Sequence, residues 1–273
     1  MIRGEKKEVT QRGSLLIPGR FLVALIVCMV MTYSRAQVER IEPPHWWVGF
    51  KDTTLQLLIK GTAIGNYKAS IQDEKVRLLK VHTADSPNYL FLDLDIPKGL
   101  PGGKFTILLE GPEGAEIAIP YELKDRLKEP AQYVGFSSKD VIYLITPDRF
   151  ANGNPKNDIQ PFLKEKRIDR KDDYARHGGD IQGMIDHMDY IDGMGFTALW
   201  PSPLLINDMP KESYHGYAIT DFYEVDPRFG SMEDYKKLAS EAGKRGIKLI
   251  MDQVNNHCGL GHWWMEDLPF KDW

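Results

Sequence analysis

Three shortages bound what this chain can be. Its 273 residues hold two cysteines, Cys28 and Cys258. That excludes a disulfide framework as the main source of stability, so a packed core has to supply it. There is no basic excess: 35 Lys and Arg stand against 39 Asp and Glu, for a formal net charge of −4. The basic face that nucleic-acid binding calls for is therefore not expected. The apolar run Phe21 to Tyr33 is shorter than the ~18 residues of a membrane-spanning helix. What is present is ordinary for a globular protein, 42% hydrophobic and 27% charged, with aromatics at 11%.

The flanks of the apolar run give it a meaning. MIRGEKKEVTQRGSLLIPGR precedes it with several Lys and Arg, and SRAQ follows, with Ser34 and Ala36 small at the positions a signal peptidase reads. This is the pattern of a secretory signal, 1–36, with cleavage expected after Ala36. The alternative is an uncleaved anchor. A lipidated Cys28 is disfavoured by the bulk of Val27. Cys258 is then the one thiol left, so an internal disulfide is excluded; a bacterial periplasm fits, and the thiol is expected to be passive and buried.

Two regions follow with different patterns. In 37–125, LQLLIKG, ASIQ, VRLLKVHTA, YLFLDLDI, GKFTILLEG and AEIAIPYEL are short β-rich runs punctuated by Gly, Pro, Asn and Asp. That spacing predicts a β-sandwich. Trp46 and Trp47 in EPPHWWVGF suit either a sugar platform or a sandwich core or seam. A polar linker, 126–140, leads into 141–273, where VIYLI, IQGMIDHMDYIDGMG, FTALW, SMEDYKKLASEAGKRG and KLIM alternate strand and helix. The second helix opens on a capping box, Ser231 with Asp234. The order βαβαβ predicts a parallel sheet. All three strands run into polar clusters at their carboxyl ends, TPDRFANGNPKND, PSPLLIND and DQVNNH. In parallel α/β folds that is the functional face.

DRFANGNPKND, HGGDIQGMIDHMDYIDGMGFTALWPSP, SYHGYAITDFYEVDPRFGSMEDYKKL and DQVNNH, in this order, resemble the start of an α-amylase-family glycoside hydrolase, in its neopullulanase and cyclomaltodextrinase branch. EPPHWWVGF and LQLLIKG resemble that branch's N-terminal domain. The resemblance implies an N-terminal β-sandwich followed by the first part, three βα strands, of a (β/α)8 TIM barrel. It implies an α-glucan hydrolase cleaving α-1,4 links of maltodextrin, pullulan or cyclodextrin with retention. A transglycosylase of the same family and a non-catalytic sugar-binding protein are the alternatives. It implies that Tyr217 stacks on a sugar, that His257 hydrogen-bonds it, that Asp252 supports the geometry and that His215 is a rim contact. A core tyrosine is the plainer reading of Tyr217. It implies a Ca2+ site from Asn152, Asn154, Asn157 and Asp158, completed by the carbonyl of Gly178 and by Asp180; a plain Asn-Gly turn is the alternative. It also implies a homodimer formed through the sandwich.

The family's nucleophile Asp, acid Glu and third Asp follow barrel strands four, five and seven, and none is present up to Trp273. Asp148, Asp180 and Asp221 lie near strand ends but lack the family's catalytic context. The 273-residue chain is therefore expected to be poorly soluble, with an uncovered apolar sheet face, and to have no hydrolase activity.

Overall fold

The computed structural model describes residues 38–126 and 135–273. The expected signal peptide, 1–36, and most of the expected linker, 126–140, lie outside the described residues.

The first region is two four-stranded sheets. Its strands are β1 (Val38–Glu42), β2 (Trp46–Trp47), β3 (Thr54–Gly61), β4 (Lys68–Ile71), β5 (Arg77–Thr83), β6 (Tyr89–Asp95), β7 (Gly103–Glu110) and β8 (Glu116–Lys124). One sheet has the order β1-β3-β6-β5 and the other β2-β8-β7-β4. Apolar residues alternate inward, as in Leu55, Leu57 and Ile59 of β3 and Phe105, Ile107 and Leu109 of β7, all buried. The six expected runs are strands. β1 and the two-residue β2 are additional; β2 pairs parallel with β8 at the edge of its sheet, Trp46 against Leu123 and Trp47 against Lys124.

β6 breaks the alternation, and the reason lies far along the chain. It is central in its sheet, and its outer face is covered by residues 263–273. Tyr89 stacks on Trp263 at 6.2 Å and Phe91 on Phe270 at 5.7 Å. Arg40 and Lys60 lie over the Trp263 ring at 5.2 and 5.0 Å. Asn88 donates to Asp267 Oδ2 at 2.9 Å. A strand covered on both faces reads as a continuous apolar run. Each large side chain so buried contributes roughly 1.5–3 kcal/mol.

In the second region, β9 (Ile142–Ile145) and β10 (Ala198–Pro201) are followed by a small antiparallel pair, β11 (Leu205–Ile206) and β12 (Asp221–Val225), and then by β13 (Lys248–Leu249). The order β13-β10-β9 is parallel throughout, as the βαβαβ pattern predicts. The helices are α1 (Pro147–Phe150), α2 (Ile181–Asp186), α3 (Met188–Gly193) and α4 (Met232–Gly243). Ile145 and Leu199 of the sheet pack with Met184, Ile191 and Leu238 of the helices. The opposite face leaves Ile142 46% and Leu144 58% exposed.

Three details differ from or sharpen the sequence reading. The helix expected across 181–195 is two helices, because His187 leaves helical geometry (φ −108°, ψ 19°) and its Nδ1 sits 2.9 Å from the Gly183 carbonyl. The ring occupies the acceptor that the backbone N–H of residue 187 would use. The strand KLIM pairs only over Lys248–Leu249, with Ile250 N still donating to Leu199 O at 2.9 Å. The capping box forms on both sides, Ser231 with Asp234.

Where the two regions meet, Arg40 donates to Asp221 at 2.7 Å and lies 3.6 Å from Glu42. Burial raises the Glu42 carboxyl from 4.5 to about 7, against the pull of Arg40 and with a push from Asp221. Burial lowers His262 from 6.5 to about 4, Asp221 opposing and Arg40 assisting. The signs are opposite. Glu42 holds an extra proton in the folded state, so its contribution is present below pH 4.5 and is lost as pH rises to about 7. His262 refuses a proton when folded, so its contribution is present above pH 6.5 and is lost as pH falls to about 4. Chemical denaturation across pH should therefore show Glu42→Gln gaining stability steadily from pH 4 to 6.5 and His262→Gln losing it from pH 4.5 to 7, whereas the parent is flat between 4.5 and 6.5. Parallel profiles for all three proteins contradict this.

Candidate functional site

The carboxyl ends of β10 and β13 and the loop after β11 converge on Asp252. Its Oδ2 accepts from Trp200 Nε1 at 3.0 Å and from the Tyr217 hydroxyl at 2.9 Å. His257 Nε2 reaches the Tyr217 carbonyl at 2.8 Å, and its Nδ1 faces Asn256 Nδ2 at 2.8 Å. The Asn256 side-chain amide on one ring nitrogen and the Tyr217 carbonyl on the other fix the His257 ring from both sides. His215 Nδ1 accepts from Tyr217 N at 2.8 Å, and the two rings stack at 6.0 Å with 21° between planes. Burial keeps His215 below the usual imidazole range. Burial and the Asp252 carboxylate push Tyr217 up, so its hydroxyl stays a donor. All four residues singled out in the sequence, Tyr217, His257, Asp252 and His215, are thus brought together. Tyr217 stays 40% exposed, which argues against a core tyrosine.

A buried polar network holds Tyr217 where it is. Tyr217 follows a 3₁₀ turn, Ser213–His215, and Gly216. Ser213 is buried: its N–H donates to Glu165 at 2.7 Å and its hydroxyl accepts from Arg176 at 3.2 Å. Asn207 donates to the Ser213 carbonyl at 3.2 Å. Arg228 forks onto Asp226 at 2.9 and 2.7 Å and also donates to the carbonyls of Glu165 and Asn207. Gly216 has φ +83°, and a Cβ there would lie 2.1 Å from the Pro203 carbonyl oxygen. Only glycine fits that position.

A second cluster sits after β9. Asp180 is fully buried and caps α2: its Oδ1 accepts from Gly183 N at 2.6 Å and Gly153 N at 3.0 Å. Its Oδ2 accepts from Asn154 N at 2.8 Å and Asn157 Nδ2 at 3.3 Å. That fills the roughly four acceptor directions of a carboxylate. Asn152 donates to Asp158 Oδ1 at 2.8 Å, and Gly178 adjoins both. The Oδ1 atoms of Asn152 and Asn157 are buried and have no hydrogen-bond partner. Asp158 is pushed up by burial, with Asn152 opposing and Asp180 assisting. Asn154 is exposed, and its Oδ1 reaches only Lys156 N at 3.4 Å.

The remaining acids near strand ends are engaged. Asp148 is buried, accepts from His177 N at 2.8 Å and Gly178 N at 3.2 Å, and pairs with Arg149. Asp221 is held by Arg40. Cys258 is half-buried. Sequence reasoning missed Trp200 and Asn256. Trp200 was findable, since it lies one residue before the carboxyl end of β10, where polar clusters gather. Asn256 had no such signal, because its role depends on how the chain turns after β13.

Residues 144–270 match the family model for the alpha amylase catalytic domain, and residues 40–127 match that for the cyclomaltodextrinase N-terminal domain. Neopullulanase 2 of Thermoactinomyces vulgaris is 36% identical over 148 residues, 50% of this chain and 24% of that protein. A beta/alpha-amylase of Paenibacillus polymyxa is 41% identical over 122 residues, 45% of this chain and 10% of that protein. A cyclomaltodextrinase of Thermoanaerobacter pseudethanolicus is 34% identical over 136 residues, 49% of this chain and 22% of that protein. The chain spans a quarter or less of the length of these relatives.

Two substitutions test the positioning scheme. Asp180→Ala strands buried donors and removes a helix cap, and should cost about 3 kcal/mol in urea unfolding. Gly216→Ala combines a left-handed backbone with a clash and should cost on the order of 2–4 kcal/mol. A loss below ~0.5 kcal/mol for either contradicts its role as a surface change would.

Proposed function

We propose that this chain, a member of the alpha-amylase family through residues 144–270, carries the sugar-holding part of an α-glucan site. The whole protein is then a neopullulanase-type enzyme cleaving α-1,4 links of maltodextrin, pullulan or cyclodextrin with retention. The observation that carries this reading is the single Asp252 oxygen shared by Trp200 and Tyr217. It fixes an exposed phenol ring at the carboxyl face of the sheet, beside the imidazoles of His215 and His257. A sugar offers an apolar ring face and a rim of hydroxyls. The Tyr217 ring suits the first and the Asp252 carboxylate the second, with His257 joining it once its Nε2 turns from the Tyr217 carbonyl.

Retaining hydrolysis uses two carboxyl groups about 5–5.5 Å apart, one as nucleophile and one as proton donor. Asp148, Asp180 and Asp221 are committed to backbone donors or to arginines, so we assign no bond cleavage to them. Similarity to a neopullulanase and a cyclomaltodextrinase supports the substrate class. We also read the protein as periplasmic, from its N-terminal segment, and as a homodimer through the sandwich.

The cluster after β9 fits a calcium ion. Two buried, unpartnered amide oxygens, on Asn152 and Asn157, and a half-buried carboxylate, Asp158, are the hard donors calcium takes. With the Gly178 carbonyl they would hold it, and its charge would lower Asp158 again. Asp180, saturated by four donors, positions this loop in the ion's absence.

Titration of the 273-residue chain with maltotriose should show binding that Tyr217→Ala abolishes, with no release of reducing sugar. Binding undiminished in Tyr217→Ala, or turnover by the chain, contradicts the assignment. Calcium should raise the unfolding midpoint of the parent and leave that of Asp158→Asn unmoved; equal shifts in both would remove the ion from this loop.

A further inference from the structure

A cavity of about 140 Å³ lies beside α1, walled by Asp148, Arg149, Phe150, Asn152, Arg170 and His177. It shares Asn152 with the cluster after β9 but is not lined by Asn157, Asp158 or Asp180. The volume is well below the roughly 300–1,000 Å³ of small-molecule pockets. It admits an ion with a few waters and excludes a sugar ring.

We propose that this cavity binds a free tetrahedral oxyanion of the phosphate class, held between the guanidinium groups of Arg149 and Arg170 with the His177 ring beside them. The two arginines are brought together through one short chain of contacts. Arg170 Nε donates to the His177 carbonyl at 3.1 Å, His177 N donates to Asp148 Oδ2 at 2.8 Å, and Arg149 pairs with that same oxygen. Arg170 makes no other hydrogen bond and no ion pair among the described residues. Both of its terminal nitrogens are therefore left to a ligand, and a guanidinium fork matches two oxygens of a phosphate. The His177 Nε2 lies 3.1 Å from the Asp172 carbonyl, which leaves Nδ1 without a partner among the described residues.

The acceptors around the cavity are already taken, so a cation is refused. Asp148 Oδ2 is engaged as above, and its Oδ1 accepts from Gly178 N at 3.2 Å and lies 3.7 Å from the buried Arg176. One carboxylate thus faces two guanidinium groups before Arg170 is counted. The carbonyls of Ala175 and Asp173 accept from Arg149 at 2.8 and 2.6 Å. Asp169 and Asp172, on the same loop as Arg170, are paired with Arg167 at 2.7 and 2.6 Å. The positive charge of Arg170 is the one left uncompensated at the cavity wall.

An oxyanion here ties α1, through Arg149, to the loop that the Ile168 to Arg176 bridge closes. Arg149 also lies 3.7 Å over the ring of Tyr214, in the turn that leads to Tyr217. The bound ion therefore braces the support of that turn without touching a sugar.

Isothermal titration of the full 273-residue chain with sodium phosphate tests this, at pH 7, without calcium and with ionic strength held constant by chloride. The parent should bind phosphate at one site, and its thermal midpoint should rise in phosphate over chloride. Arg170 is exposed and holds no carboxylate, so Arg170→Gln leaves the fold intact. It should weaken phosphate about tenfold or more, as the loss of charge-assisted hydrogen bonds requires, and remove the thermal shift. Arg170→Lys keeps the charge without the fork and should fall between the two. Arg167→Gln, on the same loop, should match the parent. Glucose 6-phosphate should bind at least tenfold more weakly than phosphate; equal affinity would overturn the free ion in favour of a phosphate ester. No heat of binding and no thermal shift in the parent, or equal phosphate affinity in Arg170→Gln, overturns the site.

Discussion

The site depends first on one buried carboxylate. Asp180 starts α2 and gathers the loop after β9 around itself, taking donors from Gly153, Asn154, Asn157 and Gly183. That requires the loop to run against the helix backbone: a Cβ on Gly183 would lie 1.9 Å from the Ala151 carbonyl oxygen. With the loop fixed, Asp148 and Arg176 are buried beneath it, and Arg176 reaches across to Ser213. Ser213 opens the turn that presents Tyr217. Positioning thus passes from a helix cap towards Tyr217 through buried polar contacts, the 3.7 Å Arg176–Asp148 pair among them. Breaking such a network by removing one charged partner costs about 3–5 kcal/mol, which suits a scaffold more than a moving part.

The second constraint is the seam between the two regions. The sandwich is stable on its inner faces by ordinary alternation, but the outer face of β6 needs the aromatic segment 263–273. Trp263 lies against Tyr89, Arg40 and Lys60, combining stacking with two cation–π contacts. Arg40 also holds Asp221 of β12. One arginine therefore fastens the sandwich both to the segment beyond β13 and to the hairpin beside the site. This is why Glu42, two residues on, stands at the wall of a cavity it shares with His257.

Much of this was legible in the residues. Period-two runs such as GKFTILLEG predicted strands, Ser231 and Asp234 predicted a helix start, and the polar clusters ending three strands pointed to the face where Asp252 and Tyr217 meet. Tyr217, Asp252, His215 and His257 were identified by motif, and they do converge. What was not legible depends on distant partners. The unbroken YLFLDLD run owes its pattern to residues 263–273, which no local window contains. The break at His187 comes from a side chain competing for a carbonyl four residues back. Trp200 and Asn256 act on Asp252 and His257 through geometry that only the folded sheet defines. Asp180 carried the right chemistry in sequence, yet its four donors make it a cap, a role spacing alone did not separate from ligation.

We propose that Asp252, through Trp200 and Tyr217, presents an aromatic platform to an α-glucan. The most direct test is a crystal structure of the chain soaked with maltotriose. A glucosyl ring should stack on Tyr217, with the Trp200 to Asp252 hydrogen bond kept at its present 3.0 Å and His257 turned to a sugar hydroxyl. A sugar seated elsewhere with Tyr217 bare, or a site that rearranges to break the Trp200 to Asp252 bond, would contradict it.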